Sequence, residues 1–197
     1  MPLELINATA SVVTAVVIGA TAIAAIIQLR HMRANNQITA LLAVQAEFDA
    51  KDFRDAEARM RKEFPEILED EGFCSYFIAI LKDQEAAEDA RYDEVRRAAR
   101  LVANTYENLG VLTKRGIIDR SLVLEAYSFI VVNAWDDLEG FVAMIRAATG
   151  ERTIYENFEY LAAVSRDRLA SQPDEYPRNV KRLNPQLPKS AAKILSG

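Results

Sequence analysis

The stretch INATASVVTAVVIGATAIAAIIQL, from Ile6 to Leu29, decides how the rest of the chain is read. Residues 5–29 carry no charge, and most of them are Ala, Val or Ile. A bilayer core needs about 20 such residues in a helix. At ~1.5 Å per residue the stretch reaches about 36 Å, a full crossing with some tilt. Its Ser and Thr residues can return their hydroxyls to the helix backbone, so they cost little in lipid.

Two other readings compete. A cleaved signal peptide needs a basic leader and a short apolar run. MPLEL carries Glu4 and no base, and the run is too long, although AIAA has the small residues of a cleavage site. A core helix of a soluble protein would show a polar stripe on its wet face, and here only scattered hydroxyls appear. A transmembrane helix over 6–29 is therefore expected. Arg30, His31 and Arg33 follow it directly, and no Lys or Arg precedes it. The positive-inside rule then puts residues 1–5 outside and the remainder in the cytoplasm. A single cysteine, Cys74, permits no intrachain disulfide and suits a reducing compartment. Ser11, Ala15 and Gly19 fall at i, i+4, i+8 and offer a small-residue face through which two spans could pair.

Beyond the span the pattern is helical throughout, with no alternating strand-like run. An all-α architecture follows: one transmembrane helix, then a bundle of about five helices. The expected divisions are a juxtamembrane helix over 30–64, a helical domain over 65–175 and a tail over 176–197. Pro65 is expected to open a helix, and Gly72 to split one. EDARYDEVRRAARLVANTYENLGVLTKRG reads as one long helix closed by Gly116. Asp119 then caps the next, with Ile118 and Val123 as its hydrophobic staple. That helix, with Trp135, is the most buried, and Gly150 ends it. Thr153 and Glu156 fit a capping box for the last helix. The tail has no acid after Glu175 and carries Arg178, Lys181, Arg182, Lys189 and Lys193. With a chain net charge of −5 and a +5 tail, the rest stands at −10. The tail is suited to an anionic lipid surface, whereas the acidic body makes nucleic acid a poor partner.

Conventional catalysis is hard to build from these residues. The only histidine, His31, lies at the membrane edge, which leaves no Ser–His or Cys–His pair for the domain. No glycine-rich phosphate loop and no His/Cys metal cluster occur, so no cofactor and no metal are implied. One candidate site remains. YEN occurs in TYENLG and again in IYENFEY, and Asn133 interrupts FIVVNAW. Glu107, Asn108, Asn133, Asp137, Glu156 and Asn157 are expected to meet where three helices pack. Such a buried network would fix helix register or line a ligand pocket.

YENLGVLTKRGIID, VVNAWDDLEGFV and YENFEYLA, within Val95 to Arg168, carry a resemblance. The chain resembles an uncharacterised bacterial family whose members join one N-terminal membrane helix to a small helical domain. The resemblance implies that architecture and a bacterial inner-membrane location, and it offers no catalytic residues. The leading expectation is a membrane-tethered interaction or scaffold protein with an unidentified protein partner and no evident enzymatic activity. A ligand-sensing or enzymatic domain using the polar cluster, and an oligomeric membrane effector assembled through the span, are the alternatives.

Overall fold

A computed structural model describes residues 2–86 and 89–171, with 179–183, 185, 186, 188 and 191 of the tail. Arg178, Lys189 and Lys193 lie outside the described residues, as do most of the tail and Met1. Among the described residues there are six helices and no strand: α1 (Leu3–Asp49), α2 (Lys51–Ile67), α3 (Glu71–Leu81), α4 (Ala90–Lys114), α5 (Arg120–Thr149) and α6 (Glu156–Ser171).

The apolar stretch and the residues after it form one helix of 47 residues, about 70 Å long. It is long and apolar enough to cross a membrane, and none of its apolar window is buried in the protein. Ser11, Thr14 and Thr21 donate to the carbonyls four residues back, at 2.9, 2.8 and 2.8 Å. The C-terminal third of α1 docks on the bundle, with Val44 buried and Ala40, Leu41 and Phe48 packed against the core.

The segment expected as a single juxtamembrane helix turns a corner at Ala50, whose ψ of 138° interrupts the helix. No Gly, Pro or capping side chain marks the place. Aromatic packing holds it instead. Phe48 and Phe53 meet edge to face at 5.0 Å, and both rest on Tyr106, at 5.3 and 6.2 Å. Beyond the corner, α2 buries Phe53, Ala56, Met60, Phe64 and Ile67, a helical stripe that makes it part of the core.

Two expected boundaries are corrected. Pro65 does not open a helix but lies in the last turn of α2. There it removes one backbone donor, while Phe64 and Ile67 on either side are fully buried and hold the turn. Gly72 splits nothing, because it sits in the first turn of α3. The break falls at 68–70, where Asp70 caps α3 by accepting from the amides of Gly72 and Phe73, at 2.8 and 3.3 Å.

The α4–α5 connection follows its local signals. Gly116 adopts φ +66°, a left-handed conformation that costs glycine little. The amides of Ile117 and Gly116 donate to Leu112 and Thr113, at 2.9 and 3.1 Å, the double closure of a Schellman motif. Asp119 caps α5, accepting from Ser121 N and Leu122 N, and Ile118 and Val123 are both buried beneath it. In the assembled bundle α6 lies on α4 and α5 together, α2 packs chiefly on α4, and α3 on α5. Phe64, Phe73, Phe77 and Phe141 join α2, α3 and α5 through ring contacts of 4.9–5.9 Å.

Two carboxylates tie α3 to α4. Asp70 also accepts from the Tyr92 hydroxyl at 3.0 Å, and Asp93 accepts from Tyr76 at 3.2 Å and pairs with Arg96 and Arg97. The Tyr92 bond and the Gly72 amide hold the Asp70 carboxyl below the usual range. Arg96 does the same for Asp93. Groups with depressed folded values stabilise above the ordinary carboxylate range, near pH 3.9, and lose that contribution as pH falls through their lowered values. Thermal denaturation followed from pH 6 to pH 2 should therefore show stability lost at the acid end, and Tyr92→Phe should lessen the loss.

Candidate functional site

The six residues expected to form one polar cluster are divided between two places. Glu107, Glu156 and Asn157 meet at the crossing of α4 and α6. Asn133 and Asp137 lie on α5 beside α2, and Asn108 is exposed on α4 with no hydrogen bond to any of them. The division follows from the face of α5 that meets α6. Ala134, Trp135 and Leu138 are buried, and Trp135 packs edge-on against Phe158 of α6 at 5.1 Å. Asn133 and Asp137 are left on the flank shared with α2.

At the α4–α6 crossing, Glu107 caps a helix fifty residues away in sequence. Its Oε2 accepts from the amides of Asn157 and Phe158, at 3.1 and 2.8 Å, and its Oε1 from Asn157 Nδ2 at 2.7 Å. These amides belong to the first turn of α6, which needs outside acceptors. The expected capping box of Thr153 and Glu156 is absent. Glu156 donates its amide to the Thr153 carbonyl at 3.1 Å, while its carboxylate faces Lys114 at 3.3 Å. Tyr155, the residue before α6, has φ +58°, an uncommon conformation for a non-glycine residue. Its hydroxyl is held by Asn104 of α4 at 3.1 Å.

Gly110 completes this seam. A Cβ at its position would stand 2.2 Å from the Asn157 carbonyl oxygen, so only glycine lets the two backbones approach. One turn back, Tyr106 stacks on Phe158 at 5.1 Å and 13°. The junction is thus a helix clamp, with Glu107 fully engaged by α6.

The second place is an open groove of about 440 Å³ between α2 and α5. Asn133 and Asp137 line it from α5, Glu57 and Arg61 from α2, and Val102 from α4. Partial burial raises the Asp137 carboxyl above the usual range; Arg61 opposes the shift, and Asp136 and Glu57 reinforce it. Sequence reasoning placed Asn133 and Asp137 in a site but missed their partners on α2. Glu57 and Arg61 stand at i, i+4, a spacing that usually marks no more than a solvated pair.

The remaining candidates are exposed. Ser11, Ala15 and Gly19 face outward in the unburied half of α1, and Arg30, His31 and Arg33 follow them on its surface. Ala15 and Ala40, like Gly19 and Val44, are about seven turns apart. The small-residue face and the bundle-docked face therefore lie on one side of α1. Cys74 is a free thiol that donates to the Leu68 carbonyl at 3.3 Å, and burial pushes its pKa up, the reverse of an activated nucleophile. Among the described residues no group of three or more His, Cys, Asp or Glu is arranged to hold a metal ion.

The seam makes a sharp demand on two side chains. Glu107→Ala leaves the first-turn amides of α6 without their acceptor and should lower stability by about 1–2 kcal/mol. Gly110→Ala gains helix propensity of about 1 kcal/mol but meets backbone, so a net loss of about 1–3 kcal/mol is expected. Urea denaturation of the two variants against the parent chain measures both.

No curated protein and no solved structure matches the chain. A family model does, over residues 15–165. The matched segment opens inside the apolar half of α1 and closes in α6, so it takes in the docked helix, the corner at Ala50, the Glu107 seam and the groove. The chain belongs to the family described as a domain of unknown function, DUF4760.

Proposed function

We propose that this chain is a single-pass protein of the bacterial inner membrane, with its N-terminus outside and its helical bundle in the cytoplasm. The bundle serves there as a tethered interaction module. The observation that carries the reading is the build of α1. Its first half exposes Val12, Val16, Ile23 and Ile27 by 50% or more. An apolar surface of that extent needs lipid or another protein around it. The same helix continues without a break into the segment docked on the bundle.

That continuity favours an anchor over a cleaved leader, since cleavage near AIAA would cut the helix that carries Val44. The family match supports the same choice, because it begins at residue 15, upstream of any such cleavage. Arg30 and Arg33 supply the orientation through the positive-inside rule. The bundle carries the chain's excess of acidic residues, and the polar junction of α4 and α6 is occupied by structural bonds. A module of this kind suits a partner that presents basic side chains.

The test combines topology with recovery of partners. The full chain should remain in the membrane fraction through an alkaline wash. A reporter fused after residue 171 should be active only as a cytoplasmic fusion. Purification in mild detergent should recover at least one stoichiometric protein partner. Release by the alkaline wash would overturn the anchor, an extracytoplasmic reporter would overturn the orientation, and recovery of the chain alone would overturn the interaction role.

A further inference from the structure

Between the apolar stretch and the bundle, α1 runs as a single exposed helix. Every residue from Arg30 to Asn36 is exposed, and so are Ile38, Thr39 and Leu42. Ile38 and Leu42 are apolar, yet 58% and 59% of each is open. The bundle does not cover them. It takes Ala40, Leu41, Val44 and Phe48, a face about 130° around the helix from Ile38 and Leu42. Lipid does not reach them either. They lie about 14 and 20 Å along the axis beyond Leu29, past a headgroup layer of about 5–8 Å. The tail sequence is a poor cover, because Pro177, Pro185 and Pro188 divide it and proline does not continue a helix.

These two residues belong to a longer stripe. Gln28, His31, Asn35, Ile38, Leu42 and Gln45 alternate by three and four residues, the a and d positions of a heptad. All six are exposed. From Gln28 to Gln45 no Lys, Arg, Asp or Glu stands at a, d, e or g; Arg30 and Arg33 fall at c and f. A charged partner finds no counter-charge on this face. A copy of the same face does fit it, because Asn and Gln both donate and accept hydrogen bonds. Each can therefore meet its own counterpart across a two-fold axis. The stripe closes at Asp49, the next a position, where like charges would meet and where α1 itself ends.

We propose that a second copy of this chain covers the Gln28–Gln45 face, and that the two α1 helices form a short parallel coiled coil standing on the membrane. The proposal rests on the reading of α1 as a membrane anchor. Spans inserted in one direction present the stripe at the same height, so register is set before contact, and confinement raises the effective concentration. That offsets a seam with only Ile38 and Leu42 as apolar layers, too short to join helices meeting from solution. Leu at a with Ile at d would by itself suit three or four strands, whereas a polar Asn at a, here Asn35, fixes register and strand number. Leu41 and Phe48, both g positions, are already packed on the bundle. The wider interface of larger assemblies is thereby closed, and two strands remain, with the bundles on the outer sides of the pair.

The experiment uses the purified full chain, reconstituted at high dilution in liposomes, with Cys74→Ser as the background. Ile38→Cys and Leu42→Cys put a thiol on the seam. Asn36→Cys and Ala43→Cys put one at exposed b positions on another side of the helix. Under copper phenanthroline and air, the seam thiols should form a disulfide dimer about tenfold faster than the b-position thiols. Adding Leu42→Glu to Ile38→Cys should remove that advantage and leave the melting temperature unchanged, because Leu42 is exposed in the single chain. Equal rates at all four positions, or a seam rate indifferent to Leu42→Glu, would overturn the pairing. So would seam thiols that resist a maleimide without forming dimer, which would assign the face to the chain's own tail. An alkaline wash of the same liposomes separates the two readings. A chain that is retained but forms no seam dimer overturns the pairing alone, and a chain that is released overturns the anchor with it.

Discussion

The fold depends on the aromatic contacts made by Tyr106. Its ring touches Phe48 at the end of α1, Phe53 at the start of α2 and Phe158 at the start of α6. Phe158 in turn meets Trp135 of α5. One residue of α4 thereby joins the end of the long N-terminal helix to every other helix except α3. Such ring pairs contribute about 0.5–1.5 kcal/mol each beyond their buried area. Their larger effect is geometric, since the Ala50 corner has no turn chemistry of its own and exists because both of its flanking phenylalanines have somewhere to pack.

The same turns of α4 also receive α6. Tyr106 supplies the stacking surface, Glu107 the capping carboxylate and Gly110 the space. These act on one short stretch, Tyr155 to Phe158, and each removes a different obstacle to close approach: exposed apolar area, unpaired amides and backbone contact. Asn104 adds a bond to the Tyr155 hydroxyl at 3.1 Å, which helps hold that residue in its uncommon backbone conformation. The two Tyr-Glu-Asn stretches meet at this seam. The first copy is the receptor for the second.

What was legible in the chain depended on how far apart the deciding residues are. The apolar helix, the extents of α4 and α5, the Gly116 closure and the Asp119 cap rest on signals within a turn or two, and all were readable. The Ala50 corner was not, because the residue that fixes it, Tyr106, lies far along the chain. The cap of α6 was misassigned for the same reason: a local Thr–Glu spacing was present, but a carboxylate fifty residues away took the amides. The expected polar cluster failed on a matter of phase. Asn133 and Asp137 repeat every four residues with Phe129, whereas the α6-facing side of α5 follows Ala134, Trp135 and Leu138. Polar residues on one helix were grouped with a junction that belongs to its other side.

The alignment of two faces along α1 limits how two copies could meet. The small residues around Ala15 point the same way as the Ala40–Val44 surface on which the bundle is mounted. Two spans pressed together along parallel axes would drive each bundle into the lower half of the opposing helix. Contact through that face requires axes that cross near Ala15 and diverge toward the bundles. A crossing of about 40°, the value common for small-residue pairs, separates the axes by roughly 30 Å at Val44. The turn count between two short stretches of one helix thus sets a lower limit on the crossing angle of any such pair.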